Sequence, residues 1–151
     1  MKRVLTATFA LMITASIAMA HCQVPCGIYG DQLRFQQMLE DGKTIAKAQT
    51  QLNDLVEGEK SAQNYNQGIR WVVTKEEHAT KIQSTIAAYF LAQRIKPGSE
   101  NYSKKLMAAH AVIIAAMKCK QSADPETSEV LEKAIFDLYR AYEGKEPNFE
   151  D

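Results

Sequence analysis

Four stretches of the chain place apolar residues every three or four positions, with glycine or proline in the gaps between them, and this pattern limits the fold more than any other feature. From Asp31 to Glu57 the recurring residues are Met38, Leu39, Ile45, Leu52, Leu55 and Val56, one face of an α-helix with Gly58 as its stop. A second, unusually long helix is predicted from about Ser61 to Arg94, burying Tyr65, Ile69, Val72, Ile82, Ile86, Tyr89 and Phe90 before Pro97-Gly98 ends it. The third, about Asn101 to Lys120, carries Leu106, Met107, His110, Val112, Ile113, Ile114, Ala116 and Met117. It is apolar enough to be buried on more than one side or to face another subunit. Asp124-Pro125-Glu126 reads as the start of a fourth, combining a capping side chain, a proline in the first turn and an acid near the positive dipole end. Val130, Leu131, Ala134, Ile135, Leu138 and Tyr142 follow at helical spacing, and Pro147 lies beyond the end. No stretch alternates apolar and polar residues between hairpin signals. The expected fold is therefore all-α, an antiparallel four-helix bundle over about residues 31–143 joined by short turns.

Ahead of the bundle, residues 1–20 read as a cleavable signal peptide. Lys2 and Arg3 precede an apolar run from Val4 to Ile17, and Ala18-Met19-Ala20 is the small-x-small pattern that signal peptidase accepts. The run is short for a bilayer of roughly 30 Å, which argues against an uncleaved anchor, and His21 stands where a lipoprotein signal needs a small residue before Cys22. The expectation is an exported protein, periplasmic or secreted, with residues 21–151 as one domain and no membrane partner after cleavage. Of the full chain, 46% is hydrophobic and 24% charged, which argues against disorder and against a nucleic-acid-binding polycation. Without Lys2 and Arg3, 16 basic residues stand against 18 acidic ones, so a small anionic substrate would have to be steered by local basic residues rather than by net charge.

Cleavage after Ala20 would leave His21-Cys22-Gln23-Val24-Pro25-Cys26-Gly27-Ile28-Tyr29 at the N-terminus, and these nine residues hold the chemistry. His21 then offers its α-amine and its imidazole, Cys22 a thiolate and its backbone amide nitrogen, and Cys26 a second thiolate. This N/S set suits a square-planar or square-pyramidal ion such as Ni(II), whereas Zn(II) prefers a tetrahedron and gains nothing from an amidate. Pro25 restricts the backbone and Gly27 permits a tight turn, so Cys26 can fold back toward Cys22 around one metal.

The pattern H-C-x-x-P-C-x-x-Y at a mature N-terminus resembles the nickel hook of nickel superoxide dismutases. The resemblance continues through Arg70-Trp71-Val72-Val73-Thr74-Lys75-Glu76-Glu77-His78-Ala79 and Tyr89-Phe90-Leu91-Ala92-Gln93-Arg94-Ile95-Lys96-Pro97. It implies a four-helix bundle, a homohexamer, and one nickel ion per subunit held by His21, Cys22 and Cys26. It also implies the reaction, disproportionation of superoxide to dioxygen and hydrogen peroxide with nickel cycling between Ni(II) and Ni(III). Within that resemblance the His21 imidazole is an axial ligand that favours the oxidised ion. Tyr29 matches the hook tyrosine, placed to order water or substrate at the open face. Tyr89 is a candidate further aromatic near the site, against the plainer reading of a core tyrosine with its hydroxyl satisfied. Gln23 stands where some members have Asp, Gln37 where some have a Glu that supports the histidine ligand, and both Arg70 and His78 are candidates to orient the His21 ring.

Plainer readings stand beside this one. Cys22 and Cys26 of an exported protein would also suit a disulfide, stapling an interaction module that binds no metal. The same terminus would suit a periplasmic nickel- or copper-binding protein without turnover. Cys119, near the end of an apolar helix, reads as a buried free thiol, and His110 as a core residue rather than a ligand.

Overall fold

The computed structural model describes residues 30–149. Helix α1 runs Asp31–Glu57 and stops at Gly58. Helix α2, Ala62–Thr85, begins at Ser61, whose hydroxyl accepts from the Asn64 amide. It continues without a break into π-helical turns over Ile86–Arg94. Helix α3 spans Tyr102–Gln121 and helix α4 spans Glu126–Glu143. The Asp124 carboxylate accepts from the Glu126 amide at 3.0 Å, and Gly144, at φ 71°, closes α4 in the left-handed conformation. Each helix packs on its sequence neighbours and α1 also packs on α4, so the four close into an antiparallel bundle. Among the described residues there is no strand, and no helix is long and apolar enough to cross a membrane.

The core is aliphatic in the middle and aromatic at one end. Met38, Ile45, Ile82, Ile86, Val112, Leu131, Ile135 and Leu138 are essentially inaccessible to water. At the end where α1 begins, Phe35 lies 4.8 Å from Phe90, 5.0 Å from Tyr139 and 6.0 Å from Tyr142, measured between ring centroids. Cys119 is a buried free thiol, as expected, and its Sγ contacts the Thr127 carbonyl oxygen at 3.2 Å.

Several residues expected inside are outside. Tyr65, Ile69 and Val72 at the start of α2 are exposed, as is Val56 near the end of α1. The cause is a mismatch of lengths. At about 1.5 Å per residue α1 is about 40 Å long and α4 about 27 Å, so the longer pair overhangs the shorter. Two contacts mark where the overhang begins: Lys75 of α2 meets the carbonyl of Cys119 near the end of α3, and Asn53 of α1 meets the carbonyl of Ala123 just before α4. Beyond them Leu52, Leu55, Val56, Tyr65, Ile69 and Val73 line an apolar groove between the overhanging ends. Leu106, Met107, Met117 and Val130 are likewise exposed, and His110 faces solvent rather than the core, because α3 and α4 each bury a single face.

Candidate metal centre

The hook residues His21, Cys22, Cys26 and Tyr29 lie outside the described residues, so the structure bears on the centre from Gly30 onward. Gly30 precedes α1 with extended backbone, φ −80° and ψ 132°, and caps it with no side chain. Asp31 follows in the first turn, where a carboxylate is favoured by the helix dipole. Three donors converge on it. Oδ1 accepts from the Tyr89 hydroxyl and, at 2.9 Å, from Arg94 Nε, while Oδ2 accepts from the Tyr142 hydroxyl at 2.9 Å. Arg94 Nη2 also donates to the Tyr89 oxygen at 2.8 Å.

The π-helical turns bring these groups together. In an α-helix, residues five apart are rotated by about 140°, so Tyr89 and Arg94 would point in different directions. Hydrogen bonding five residues back, as from the Ile95 amide to the Phe90 carbonyl at 2.8 Å, lengthens the turn and sets the two side chains on one face. The Arg94 guanidinium then covers the Tyr89 ring at 4.9 Å from its centroid, and Arg34 approaches the same ring at 5.7 Å. Lys105 lies 5.4 Å from the centroid of Tyr142. The cluster therefore sets three cations against its two tyrosine rings, with Arg94 alone paired to Asp31, a local positive region on a chain with no net positive charge. Burial, and then the Asp31 carboxylate, push both tyrosine hydroxyls above their ordinary range.

The other residues singled out from the sequence fall elsewhere. His78 Nδ1 lies 2.5 Å from Asp41 Oδ1, ten residues and so about 15 Å along α1 from Asp31. Arg70 is exposed two turns earlier on α2. Neither stands in the Asp31 cluster. Gln37 accepts from Arg34 Nη1 at 2.6 Å, one turn inside that cluster's edge. Tyr89 is buried with its hydroxyl satisfied by Asp31 and Arg94, as the plainer reading of it expects, whereas sequence reasoning missed the roles of Asp31, Arg94 and Tyr142. A helix-initial acid, a basic residue in a last turn and a tyrosine on an apolar face each have a local explanation. Among the described residues, no three His, Cys, Asp or Glu side chains converge to hold a metal ion.

A family model for nickel-containing superoxide dismutases matches residues 16–146, which takes in the hook sequence and the whole of the bundle. The chain belongs to the nickel-containing superoxide dismutase family. It is therefore an oxidoreductase acting on superoxide, and the helical bundle is the scaffold of a nickel enzyme. No curated protein and no solved structure matches this dismutase. The donor chemistry fits the metal. Thiolate sulfur together with nitrogen donors suits nickel, and in the sequence of this dismutase a histidine stands beside two closely spaced cysteines at residues 21–26.

Proposed function

We propose that this superoxide dismutase holds one nickel ion per subunit through the His21 α-amine and imidazole, the Cys22 thiolate and amide nitrogen, and the Cys26 thiolate. The observation that carries the reading is the position of His21 directly after Ala18-Met19-Ala20, so that one cleavage frees the α-amine beside both thiols. Two further facts support it. The third cysteine, Cys119, is buried in the core, and the described residues contain no rival ligand cluster.

Bound there, nickel would supply one-electron chemistry, alternating between Ni(II) and Ni(III) as one superoxide is oxidised to dioxygen and another, with two protons, is reduced to hydrogen peroxide. The chain would make that accessible through its donors: two anionic thiolates and an amidate would place electron density where an oxidised ion is stabilised, and the His21 imidazole would add a further nitrogen. Pro25 and Gly27 shape the turn that brings Cys26 back to Cys22. Tyr29, three residues past Cys26, is the catalytic side chain of the hook. Its hydroxyl orders water or substrate at the open face and helps exclude larger anions. Arg34, Arg94 and Lys105 provide the local positive potential that draws an anion toward this end of the bundle.

We further propose that residues 1–20 direct export to the periplasm or beyond and that cleavage matures the enzyme, with nickel loading before the thiols oxidise. The active assembly is a homohexamer, and the apolar groove between the overhanging ends of α1 and α2 is a surface that packing between copies would cover.

The deciding experiment compares protein beginning at His21 with protein carrying one extra Ala before it. Nickel content is read by mass spectrometry and superoxide consumption by pulse radiolysis. Nickel-bound, active protein from the first and inactive protein from the second is expected. Equal activity in both would remove the α-amine from the ligand set, and nickel bound without turnover in the first would overturn the redox reading.

A further inference from the structure

We propose that Asp31, Tyr89, Arg94 and Tyr142 form a clamp that sets where the metal-binding residues leave the bundle, making Tyr89 and Arg94 positioning residues for the nickel centre. This rests on the assignment of His21, Cys22 and Cys26 as the ligands. Asp31 lies two residues after Tyr29 and five after Cys26. Five residues span at most about 18 Å, so holding Asp31 bounds the region Cys26 can occupy.

The clamp is more than the start of a helix requires. One carboxylate in a first turn is already favoured by the dipole, yet this one accepts from three donors on two other elements, the π-helical turns and α4. The backbone itself departs from α-helical geometry where Tyr89 and Arg94 must share a face, and such π-helical turns are rare and occur frequently at functional sites. The clamp also stands on a rigid base. Phe90 lies edge-on to Tyr89 at 5.2 Å and to Tyr142 at 5.4 Å, and Phe35 beneath them is wholly buried. A metal loop anchored through ordered charge-assisted hydrogen bonds to a packed core loses less freedom when the metal binds than one tethered to a frayed helix end.

The core residues named above all lie at position 35 or later, so the test uses protein beginning at His21. Tyr89→Phe, Arg94→Gln and Asp31→Asn are compared with wild type, with Arg94→Lys as the conservative partner. Ile135→Val serves as a core variant that lowers stability away from the clamp. Two quantities are read: the melting temperature by circular dichroism, and the rate at which bound nickel passes to a chelator. We expect the three clamp variants to release nickel about 10- to 100-fold faster, the range for outer-shell partners of metal ligands, with Arg94→Lys in between. Ile135→Val should release it at the wild-type rate despite its lower melting temperature.

Unchanged release from all three clamp variants, in a protein whose wild type retains nickel and whose His21→Ala variant loses it, would overturn the clamp while leaving the ligands in place. Equal acceleration by Ile135→Val would also overturn it, because the effect would then be one of global stability. A wild type that retains no nickel would overturn the ligand assignment, and the clamp's role with it.

Discussion

Lys75 Nζ donates to the main-chain carbonyl of Cys119 at 2.5 Å, and to that of Lys120 at 2.6 Å. The last carbonyls of a helix have no partner within it, and here the ammonium of a lysine only 3% exposed supplies one across the bundle. Burial holds its pKa below the ordinary value, so the charge is kept against desolvation by these carbonyls and by Glu76 at 3.8 Å. Lys75→Met keeps the stem and removes the donors, leaving buried carbonyls unpaired. A loss of about 1–3 kcal/mol is expected, read as a lower urea midpoint with an unchanged slope.

The two tyrosines of the Asp31 cluster predict an alkaline limit. Their hydroxyls titrate above the ordinary value of 10.0 in the folded protein, raised first by burial and then by the Asp31 carboxylate. Between that value and the folded pKa the unfolded chain has lost the proton and the folded chain has kept it, so stability falls as pH rises. It is fully present below about pH 10 and declines above it. Tyr142→Phe should flatten this decline, measured as the melting temperature of wild type and variant between pH 8 and 11.

Phe35 joins α1 to the aromatic end of the bundle through Phe90, Tyr139 and Tyr142. With no exposed surface and ring neighbours from two other elements, Phe35→Ala leaves a cavity that they cannot close. It should destabilise the bundle by about 3–5 kcal/mol in chemical denaturation.

The three cysteines should behave as two classes. Cys22→Ser and Cys26→Ser each replace a thiolate by a hydroxyl that stays protonated at neutral pH, so nickel content and superoxide consumption should both fall to background. Cys119→Ala should keep both. Its thiol is buried, raised in pKa by that burial and held against the Thr127 carbonyl, so the effect is confined to stability. Metal analysis of the three purified variants separates the classes.

The helices were legible because their signal is local. Asp31–Glu57 is observed with the predicted bounds, and Gly58, Pro97-Gly98 and Asp124-Pro125 punctuate the chain where expected. The buried face was less legible. Tyr65, Ile69 and Val72 keep the spacing of a core stripe, but whether a stripe is covered depends on the length of the helices opposite, and α3 ends beside Lys75. The same limit applies to His110, which shares a helix with buried Ala109 and Val112 yet faces water.

By itself the sequence determined four helices, their order and much of the core, and it concentrated one histidine and two cysteines in residues 21–26, because periodicity, capping and donor chemistry act over a few neighbouring residues. Only the tertiary structure decided that Asp31, Tyr89, Arg94 and Tyr142 meet. That meeting requires a backbone hydrogen-bond shift to turn two side chains onto one face, and the closing of α4 against α1 to bring in the third donor. Neither event leaves a periodic trace, since each depends on contacts between residues 5 to 111 positions apart.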